Sequence, residues 1–169
     1  IVPYVRSRER SRQPEDILRE CRELIAAGIK DITLLGQNVN SYGKYPDYGC
    51  NFSQLLRELN AIDGDFIIRF MSSHPKDATR ELIDAIFDCK KVAKHLHLPF
   101  QSGSNRVLDE MNRRYTREKY LELLEYAYSV MPDLSVTTDV IVGFPGETYE
   151  EFLETVSLVE KAKFTSMYT

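Results

Sequence analysis

Short apolar runs alternate along this chain with longer segments in which apolar residues recur at helical spacing. The short runs predict β-strands, and the longer segments predict amphipathic helices. The predicted strands are residues 31–35, 66–71, 94–100, 135–142 and 164–169. Successive strands start about 30 to 40 residues apart with a helix between them, which predicts parallel pairing through right-handed crossovers. The predicted fold class is therefore α/β, and the pattern alone leaves open whether the sheet is open or forms a barrel.

Several of the predicted helices have recognisable first turns. Pro14 is followed by two acidic residues, which is typical of a helix start. Asp77 and Thr116 are candidate N-caps of two later helices, and Thr148 with Glu151 forms a capping-box sequence. The helix after Asp77 is expected to bury Leu82, Ile83, Ile86 and Phe87. These signals indicate that the segments between the predicted strands are helical.

Composition narrows the class of protein. Apolar residues make up 43% of the chain and charged residues 28%, as in an ordinary globular domain. The net charge of -4 gives the chain as a whole no basic footprint for nucleic acid. Cys21, Cys50 and Cys89 are scattered and lack ligand spacing, which favours a reducing cytoplasm and argues against a metal site built from them. No apolar run approaches the roughly 18 residues of a membrane span.

Small and polar residues follow the predicted strands, and in a parallel sheet these positions share one edge. Gly36, Gly103 and Gly143 would allow a ligand to approach the backbone closely. The hydrogen-bonding side chains at this edge are Gln37, Asn38, Ser72, Gln101, Ser102 and Asp139. Ligands bind at this edge in α/β proteins, and neutral groups with one carboxylate suit a nucleoside-like molecule. The alternative for any single loop is that its glycine and amide residues only make the turn.

The histidines and strand threonines have simpler interpretations. His95 and His97 alternate in a predicted strand and so share one face, and we interpret them as structural residues rather than ligands. His74 precedes Pro75 at a strand end, where a role in a site and a role in bracing the turn are both open. Thr137 and Thr138 are interpreted as β-branched strand residues, because no histidine–acid partnership for a hydroxyl nucleophile is visible.

The start of the chain carries four arginines at alternate positions: Arg6, Arg8, Arg10 and Arg12. In an extended segment alternate residues point the same way, so their guanidinium groups could bind phosphates of RNA. The alternative is a solvated or salt-bridged segment leading into the first helix.

Six motifs follow one another along nearly the whole chain. They are residues 1–6 (IVPYVR), 8–12 (RERSR), 35–42 (LGQNVNSY), 97–104 (HLPFQSGS), 111–116 (MNRRYT) and 140–147 (VIVGFPGE). In this order they resemble the radical S-adenosylmethionine methylthiotransferases. Within that family, GQNVNSY and LPFQSGS resemble the branch that modifies tRNA, the MiaB-type enzymes.

The resemblance implies a fold, two cofactors and a substrate. The fold is an incomplete (β/α)6 barrel of the TIM type. The reaction adds a methylthio group to C2 of N6-isopentenyladenosine next to the anticodon of tRNA. A 4Fe–4S cluster is held by a Cys-x-x-x-Cys-x-x-Cys loop after the first strand, and its free iron chelates S-adenosylmethionine. Reductive cleavage of the sulfonium gives the 5′-deoxyadenosyl radical that abstracts hydrogen.

The resemblance also implies a set of cofactor-binding residues at the strand ends. The set is Gln37, Asn38, Ser72, Gln101, Asp139, Val142 and Gly143. The two amides after the first strand are expected at the methionyl end of S-adenosylmethionine. Gln101 and Asp139 are expected at the ribose, and the backbone around Val142 and Gly143 is expected at adenine.

The chain departs from the family pattern at its start. In the family, the third cysteine of the cluster loop stands just before the position of Ile1, so the cysteine triad and the first strand are expected to be missing. We therefore interpret residues 1–169 as a central piece of the radical S-adenosylmethionine core domain, without the N-terminal cluster-binding and C-terminal RNA-binding domains. Such a piece is expected to ligate no cluster, to be inactive alone and to self-associate through exposed barrel edges.

Two alternatives to a tRNA-modifying enzyme stay open. The nearest is the branch of the same family that methylthiolates an aspartate of a ribosomal protein. The other is a non-catalytic barrel remnant that binds a nucleoside or a partner protein.

Overall fold

Residues 9–169, which a computed structural model describes, fold into alternating strands and helices. The strands are β1 (Asp31–Leu34), β2 (Ile67–Phe70), β3 (His95–His97), β4 (Ser135–Asp139) and β5 (Ser166–Tyr168). The helices are α1 (Pro14–Ala26), α2 (Phe52–Asn60), α3 (Arg80–Asp88), α4 (Asn105–Glu110), α5 (Arg117–Val130) and α6 (Tyr149–Ala162). Short 3-10 turns lie at Val39–Ser41 and Pro75–Asp77. In this part of the chain, no helix is both long and apolar enough to cross a membrane.

The strands are parallel and lie side by side in chain order. β1 pairs with β2, β3 pairs with β4, and β4 pairs with β5, all in parallel. A single parallel bridge between Ile68 and Val92 joins the two groups of strands. In a doubly wound sheet the strand order reverses at a switch point, whereas here it does not. The sequential order is that of a (β/α) barrel.

Burial along the strands shows that the helices cover one face of the sheet. In β1 to β4, inward and outward positions alternate with the period of a pleated strand. The side chains under the helices are Ile32, Ile68, Phe70, Leu96, Leu98, Val136, Thr138 and Val140. The opposite, concave face is partly open and carries mainly polar side chains. A one-sided helical layer on a sequentially ordered parallel sheet is a partial barrel, so the predicted α/β fold is confirmed.

Local sequence signals position most of the helices. Pro14 opens α1, and the Thr116 side chain caps α5 by accepting a hydrogen bond from the Lys119 N–H. Thr148 and Glu151 form the complete capping box of α6. These three predicted starts are confirmed, because each depends only on residues within one turn of the helix.

Two details of α3 differ from the prediction. Asp77 does not cap this helix; it ends the 3-10 turn, and the Thr79 hydroxyl accepts the hydrogen bond from the Leu82 N–H instead. Phe87 is 52% exposed, because it lies at the outer edge of the apolar stripe in the last turn of a short helix.

The predicted strands are longer than the observed ones. Beyond Asp139, pairing continues only as a single bridge between Gln101 and Val140. Gln101 has a φ of 68°, in the left-handed region, which ends the regular ladder there. The strands end one to three residues earlier than the apolar pattern indicates, and the difference is three residues in β3 and β4.

Candidate functional site

Four of the sequence-predicted residues meet in a cleft at the carboxyl edge of the sheet. Gln37 follows β1, Ser72 follows β2, Gln101 follows β3, and Asp139 ends β4. The other lining residues are Met71, Ser73, His74, Pro75, His97, Pro99 and Arg113. Because one cleft collects side chains from four successive strands, a single small molecule could contact all of them.

Two residues of this cleft have a left-handed backbone. Ser72 has a φ of 65° and Gln101 a φ of 68°. For residues other than glycine this conformation costs about 1–2 kcal/mol. Backbone hydrogen bonds hold both: the Val39 N–H donates to the Ser72 carbonyl at 3.1 Å, and the Ile141 N–H donates to the Gln101 carbonyl at 2.9 Å. Backbone strain of this kind concentrates at ligand-binding sites.

Arg113 and His74 form a donor-rich corner of the cleft. Arg113 Nη1 lies 3.1 Å from His74 Nε2, and the Lys76 N–H donates to His74 Nδ1 at 3.2 Å. Burial and then the Arg113 charge lower the pKa of His74, so the ring is neutral at pH 7 and can accept only one of these two hydrogen bonds. Arg113 Nε is buried and has no partner among residues 9–169. An anionic group would satisfy these donors.

Sequence reasoning missed Arg113 as a site residue. It was visible only as part of the MNRRYT motif, in the turn after α4. A pair of adjacent arginines following a short helix was the one available signal, and it does not say which of the two faces the cleft.

Asn38 is engaged away from the cleft. Its Nδ2 donates to Asp77 Oδ2 at 2.6 Å, and Lys44 pairs with the same carboxylate. Burial acts to raise the pKa of Asp77, but the hydrogen bonds from Lys44 and Asn38 outweigh it and leave the pKa below its usual value. Asn38 thus fastens the loop after β1 to the 3-10 turn after β2, while its Oδ1 is buried without a partner in the described chain.

Val142 and Gly143 lie in the loop after β4, outside the cleft lining. Val142 is 54% exposed. Gly143 has a φ of 73°, and its N–H donates to a Glu147 carboxylate oxygen at 2.6 Å. The other Glu147 oxygen, Oε1, is buried and has no partner within residues 9–169. The turn is therefore held from within by Glu147, which accepts the Gly143 N–H.

The predicted roles of two glycines change. A Cβ on Gly103 would lie 2.5 Å from the Glu154 carbonyl oxygen and from the Thr155 Cα, so the close approach at this glycine is to the backbone of α6, not to a ligand. At Gly36 a Cβ would meet only Val39, at 3.5 Å, which is an ordinary contact. At neither position is glycine needed to let a ligand in the cleft approach the backbone.

The opening arginines are only partly described. Arg6 and Arg8 lie outside residues 9–169. Arg12 pairs with Glu20 at 2.6 Å, with both side chains more than half exposed. Arg10 lines a groove between α1 and β1 that adjoins the cleft, since Gln37 lines both. For Arg12, the structure therefore agrees with the alternative of a salt-bridged segment leading into the first helix.

The described residues do not fit an iron–sulfur cluster. Cys21, Cys50 and Cys89 are each buried at separate places, and burial raises the pKa of every one of these thiols. Within residues 9–169, no three His, Cys, Asp or Glu side chains are grouped so that they could hold a metal ion. The cleft does suit S-adenosylmethionine, since its unpaired Arg113 donor, its amides and the Asp139 carboxylate match a carboxylate, an ammonium and a ribose.

Solved structures with the same fold are radical S-adenosylmethionine enzymes. TsrM of Kitasatospora setae, a methyltransferase solved with cobalamin and a 4Fe–4S cluster bound, matches with a TM-score of 0.71 and 16% identity over 92% of this chain and 30% of its own. The cobalamin-dependent enzyme OxsB matches with a TM-score of 0.64 and 15% identity over 88% of this chain and 22% of its own. At these identities the likeness shows the fold alone.

Sequence relatives are much more similar. The tRNA-2-methylthio-N(6)-dimethylallyladenosine synthase of Thermoanaerobacter pseudethanolicus is 59% identical over 169 residues, 100% of this chain and 36% of the relative. The protein of the same name from Caldicellulosiruptor saccharolyticus is 57% identical, with the same coverage. The chain thus spans about a third of the length of these relatives. Residues 1–159 match the family model of the Radical SAM superfamily, and the chain belongs to that superfamily.

Proposed function

We propose that this chain forms the S-adenosylmethionine-binding barrel of a tRNA methylthiotransferase, which adds a methylthio group to C2 of N6-isopentenyladenosine next to the anticodon. The observation that carries the proposal is the 59% identity to a tRNA-2-methylthio-N(6)-dimethylallyladenosine synthase over all 169 residues. The composition of the cleft supports it, because a nucleoside with an amino-acid tail needs the mixture of groups found there.

Within the cleft, each end of S-adenosylmethionine has candidate partners. Gln37 is assigned to the methionyl end, and Arg113 to its carboxylate, because that guanidinium has a buried donor without a partner in the described chain. Gln101 and Asp139 are assigned to the ribose hydroxyls, which can donate to the carboxylate and accept from the amide. When bound, S-adenosylmethionine is the source of the radical; the residues of this chain bind and orient it.

The remaining sequence-predicted residues have supporting positions in this proposal. Ser72 lines the same cleft beside the methionyl end, and Asn38 braces the loop that carries Gln37. The backbone of Val142 and Gly143 is assigned to adenine, which can pair with the peptide groups after β4 other than the Gly143 N–H, since Glu147 already accepts that hydrogen bond.

Other functions are assigned to the intact protein. The cluster, the RNA-binding surface and a cytoplasmic location belong to the proposal for the whole enzyme, with Arg6, Arg8, Arg10 and Arg12 as candidate RNA contacts. The described residues offer no cluster site, so we assign no turnover to the 169-residue chain alone. The outer edges of β1 and β5, which have no strand partner within residues 9–169, are candidate sites of self-association.

Nucleoside analysis of tRNA tests this function. The gene that encodes this chain is deleted, and tRNA digests are compared by mass spectrometry with those of the parent strain. We expect 2-methylthio-N6-isopentenyladenosine to disappear and N6-isopentenyladenosine to accumulate. Unchanged tRNA together with loss of a methylthio-aspartate from a ribosomal protein would assign the chain to the other branch of the family. Unchanged tRNA and ribosomal protein would favour a non-catalytic module.

A substitution tests the cleft itself. Gln101→Ala is expected to raise the Kd for S-adenosylmethionine by about fivefold, the equivalent of one hydrogen bond. Gln13→Ala is the matched control, because Gln13 is exposed and its side chain makes no capping hydrogen bond. Equal affinities of the two variants, measured by calorimetry, would remove Gln101 from the site.

A further inference from the structure

Four polar side chains form a row across the concave face of the sheet, joined by two hydrogen bonds and one longer charge contact. His95 Nε2 lies 3.1 Å from Thr137 Oγ1, and the same hydroxyl lies 2.9 Å from His97 Nδ1. His97 Nε2 lies 3.4 Å from Asp139 Oδ2. The row exists because β3 and β4 are paired with His97 opposite Thr137, so alternate residues of both strands share this face. The sequence showed no histidine–acid partnership here, and strand pairing provides one.

When both imidazole rings are neutral, only one assignment of protons lets every contact in the row pair a donor with an acceptor. The Asp139 carboxylate lies 3.4 Å from His97 Nε2, and its negative charge favours a proton on that nitrogen, so Nδ1 is the acceptor. The Thr137 hydroxyl therefore donates its proton to His97 Nδ1. Its oxygen can then accept Nε2–H from His95. Both histidines are thereby fixed as Nε2–H tautomers.

The surroundings of His95, the histidine farthest from Asp139 in the row, favour its neutral form. Burial lowers the pKa of His95; a positive charge on His97, if that ring were protonated, and the charge of Arg69 would lower it further. Arg69 itself is paired with Asp31 at 2.9 Å on the same face of the sheet. A neutral His95 can carry its proton on Nε2 and donate it to the Thr137 oxygen, as the proton assignment requires.

The row ends at the cleft. The Asp139 side chain is 42% exposed, whereas the His97 side chain behind it is 12% exposed. A half-exposed carboxylate has rotational freedom that a ligand must restrict, and a buried imidazole beside it limits that freedom in advance. The Thr137 hydroxyl, which donates to His97 Nδ1, disfavours the tautomer that carries the proton on Nδ1 instead of on Nε2, next to Asp139.

We propose that His97 is a positioning residue for Asp139 and that His95 and Thr137 fix the tautomer in which it serves. This inference deepens the proposed function, since it concerns the carboxylate assigned to the ribose of S-adenosylmethionine. It adds a role for three residues on the concave face: His97, which lines the cleft beside Asp139, and His95 and Thr137, which lie outside the cleft lining.

The tautomers can be measured without any ligand. The chain contains only three histidines, so long-range proton–nitrogen NMR spectra of the 15N-labelled 169-residue chain resolve each ring. We expect Nε2–H for His95 and His97. Thr137→Val should leave His97 with a mixture of tautomers, whereas Thr137→Ser, which keeps the hydroxyl, should preserve Nε2–H. A dominant Nδ1–H form of His97 in the unsubstituted chain, or no change in Thr137→Val, would overturn the proposal.

Ligand affinity tests the consequence for Asp139. His97→Leu removes the donor and should raise the Kd for S-adenosylmethionine by about fivefold, as Asp139→Asn should. His97→Gln keeps an N–H at the end of the side chain and should recover most of the affinity. The double variant His97→Leu/Asp139→Asn should be no weaker than Asp139→Asn alone, because the histidine acts through the carboxylate.

The cofactor site and the positioning role of His97 can be refuted separately. Weakened binding in Gln101→Ala with unchanged binding in His97→Leu would leave the proposed site intact and refute the positioning role. Absence of S-adenosylmethionine binding by the unsubstituted chain would refute the proposed site, while the NMR spectra would still decide whether the directed row exists.

Discussion

Replacement of Gly103 by alanine should destabilise the fold, because this glycine touches the backbone of a neighbouring helix. An added Cβ would lie 2.5 Å from the Glu154 carbonyl oxygen and 2.5 Å from the Thr155 Cα, where ordinary contact begins at 3.4 Å. Neither atom belongs to a flexible side chain. The clash can be relieved only if α6 or the loop after β3 moves by about 1 Å, through a region that is otherwise closely packed.

The size of the effect follows from three contributions. Overpacking of this kind costs roughly 1–3 kcal/mol. The movement also stretches the 2.8 Å hydrogen bond from the Gly103 N–H to the Thr155 hydroxyl, which adds about 1 kcal/mol. The lower entropy of the unfolded alanine chain offsets roughly 0.4–1 kcal/mol. The expected net loss is about 1–3.5 kcal/mol, or roughly 2–14 °C in Tm for a chain of this length.

Urea denaturation followed by circular dichroism measures this loss. Gly36→Ala is the matched control, since its Cβ would meet Val39 at an ordinary 3.5 Å and its backbone is not left-handed. We expect the control to change the free energy of unfolding by less than about 1 kcal/mol, in the stabilising direction. Equal stability of Gly103→Ala and the unsubstituted chain would refute the packing argument.

Three further predictions concern stability and metal binding. Thr138→Val should cost about 2 kcal/mol in urea denaturation, because the buried hydroxyl donates to the Leu98 carbonyl at 3.0 Å and accepts from the Phe100 N–H at 3.1 Å; no loss would contradict it. The pKa of His74 is lowered below its ordinary 6.5, so the folded state binds fewer protons than the unfolded state and stability should fall as pH drops below 6.5. His74→Gln should reduce that acid loss, and an unchanged pH profile would show that another group causes it. Iron and sulfide added to the 169-residue chain should give no stable 4Fe–4S absorbance, because the described thiols are buried apart; a full cluster spectrum would refute this.

Much of the fold could be predicted because its signals are local. The capping box of Thr148 and Glu151 and the proline at the start of α1 act within a single turn, so the sequence contains the whole interaction. Alternating burial in the strands is likewise a property of neighbouring residues. Strand ends were placed too late, since the left-handed turn at Gln101 is imposed by pairing with β4 and not by its own neighbours.

The site was harder to predict because its contacts are distant in sequence. Arg113 meets His74 across 39 positions, and the row from His95 to Asp139 depends on the register of two strands. Sequence patterns could name the residues at each strand end, but they could not say which arginine turns into the cleft. Gly103 was misread for the same reason: the helix that it touches begins more than 40 residues later.

Titration of the 169-residue chain with S-adenosylmethionine, followed by amide NMR, tests the central claim most directly. We predict saturable shifts with a Kd below about 1 mM. The shifts should be confined to the ends of β1 to β4 and the turn that carries Arg113. Absence of saturable shifts, or shifts centred on Ile17, Cys21 and Leu24 in the adjoining groove between α1 and β1, would contradict the assignment of the cleft as the cofactor site.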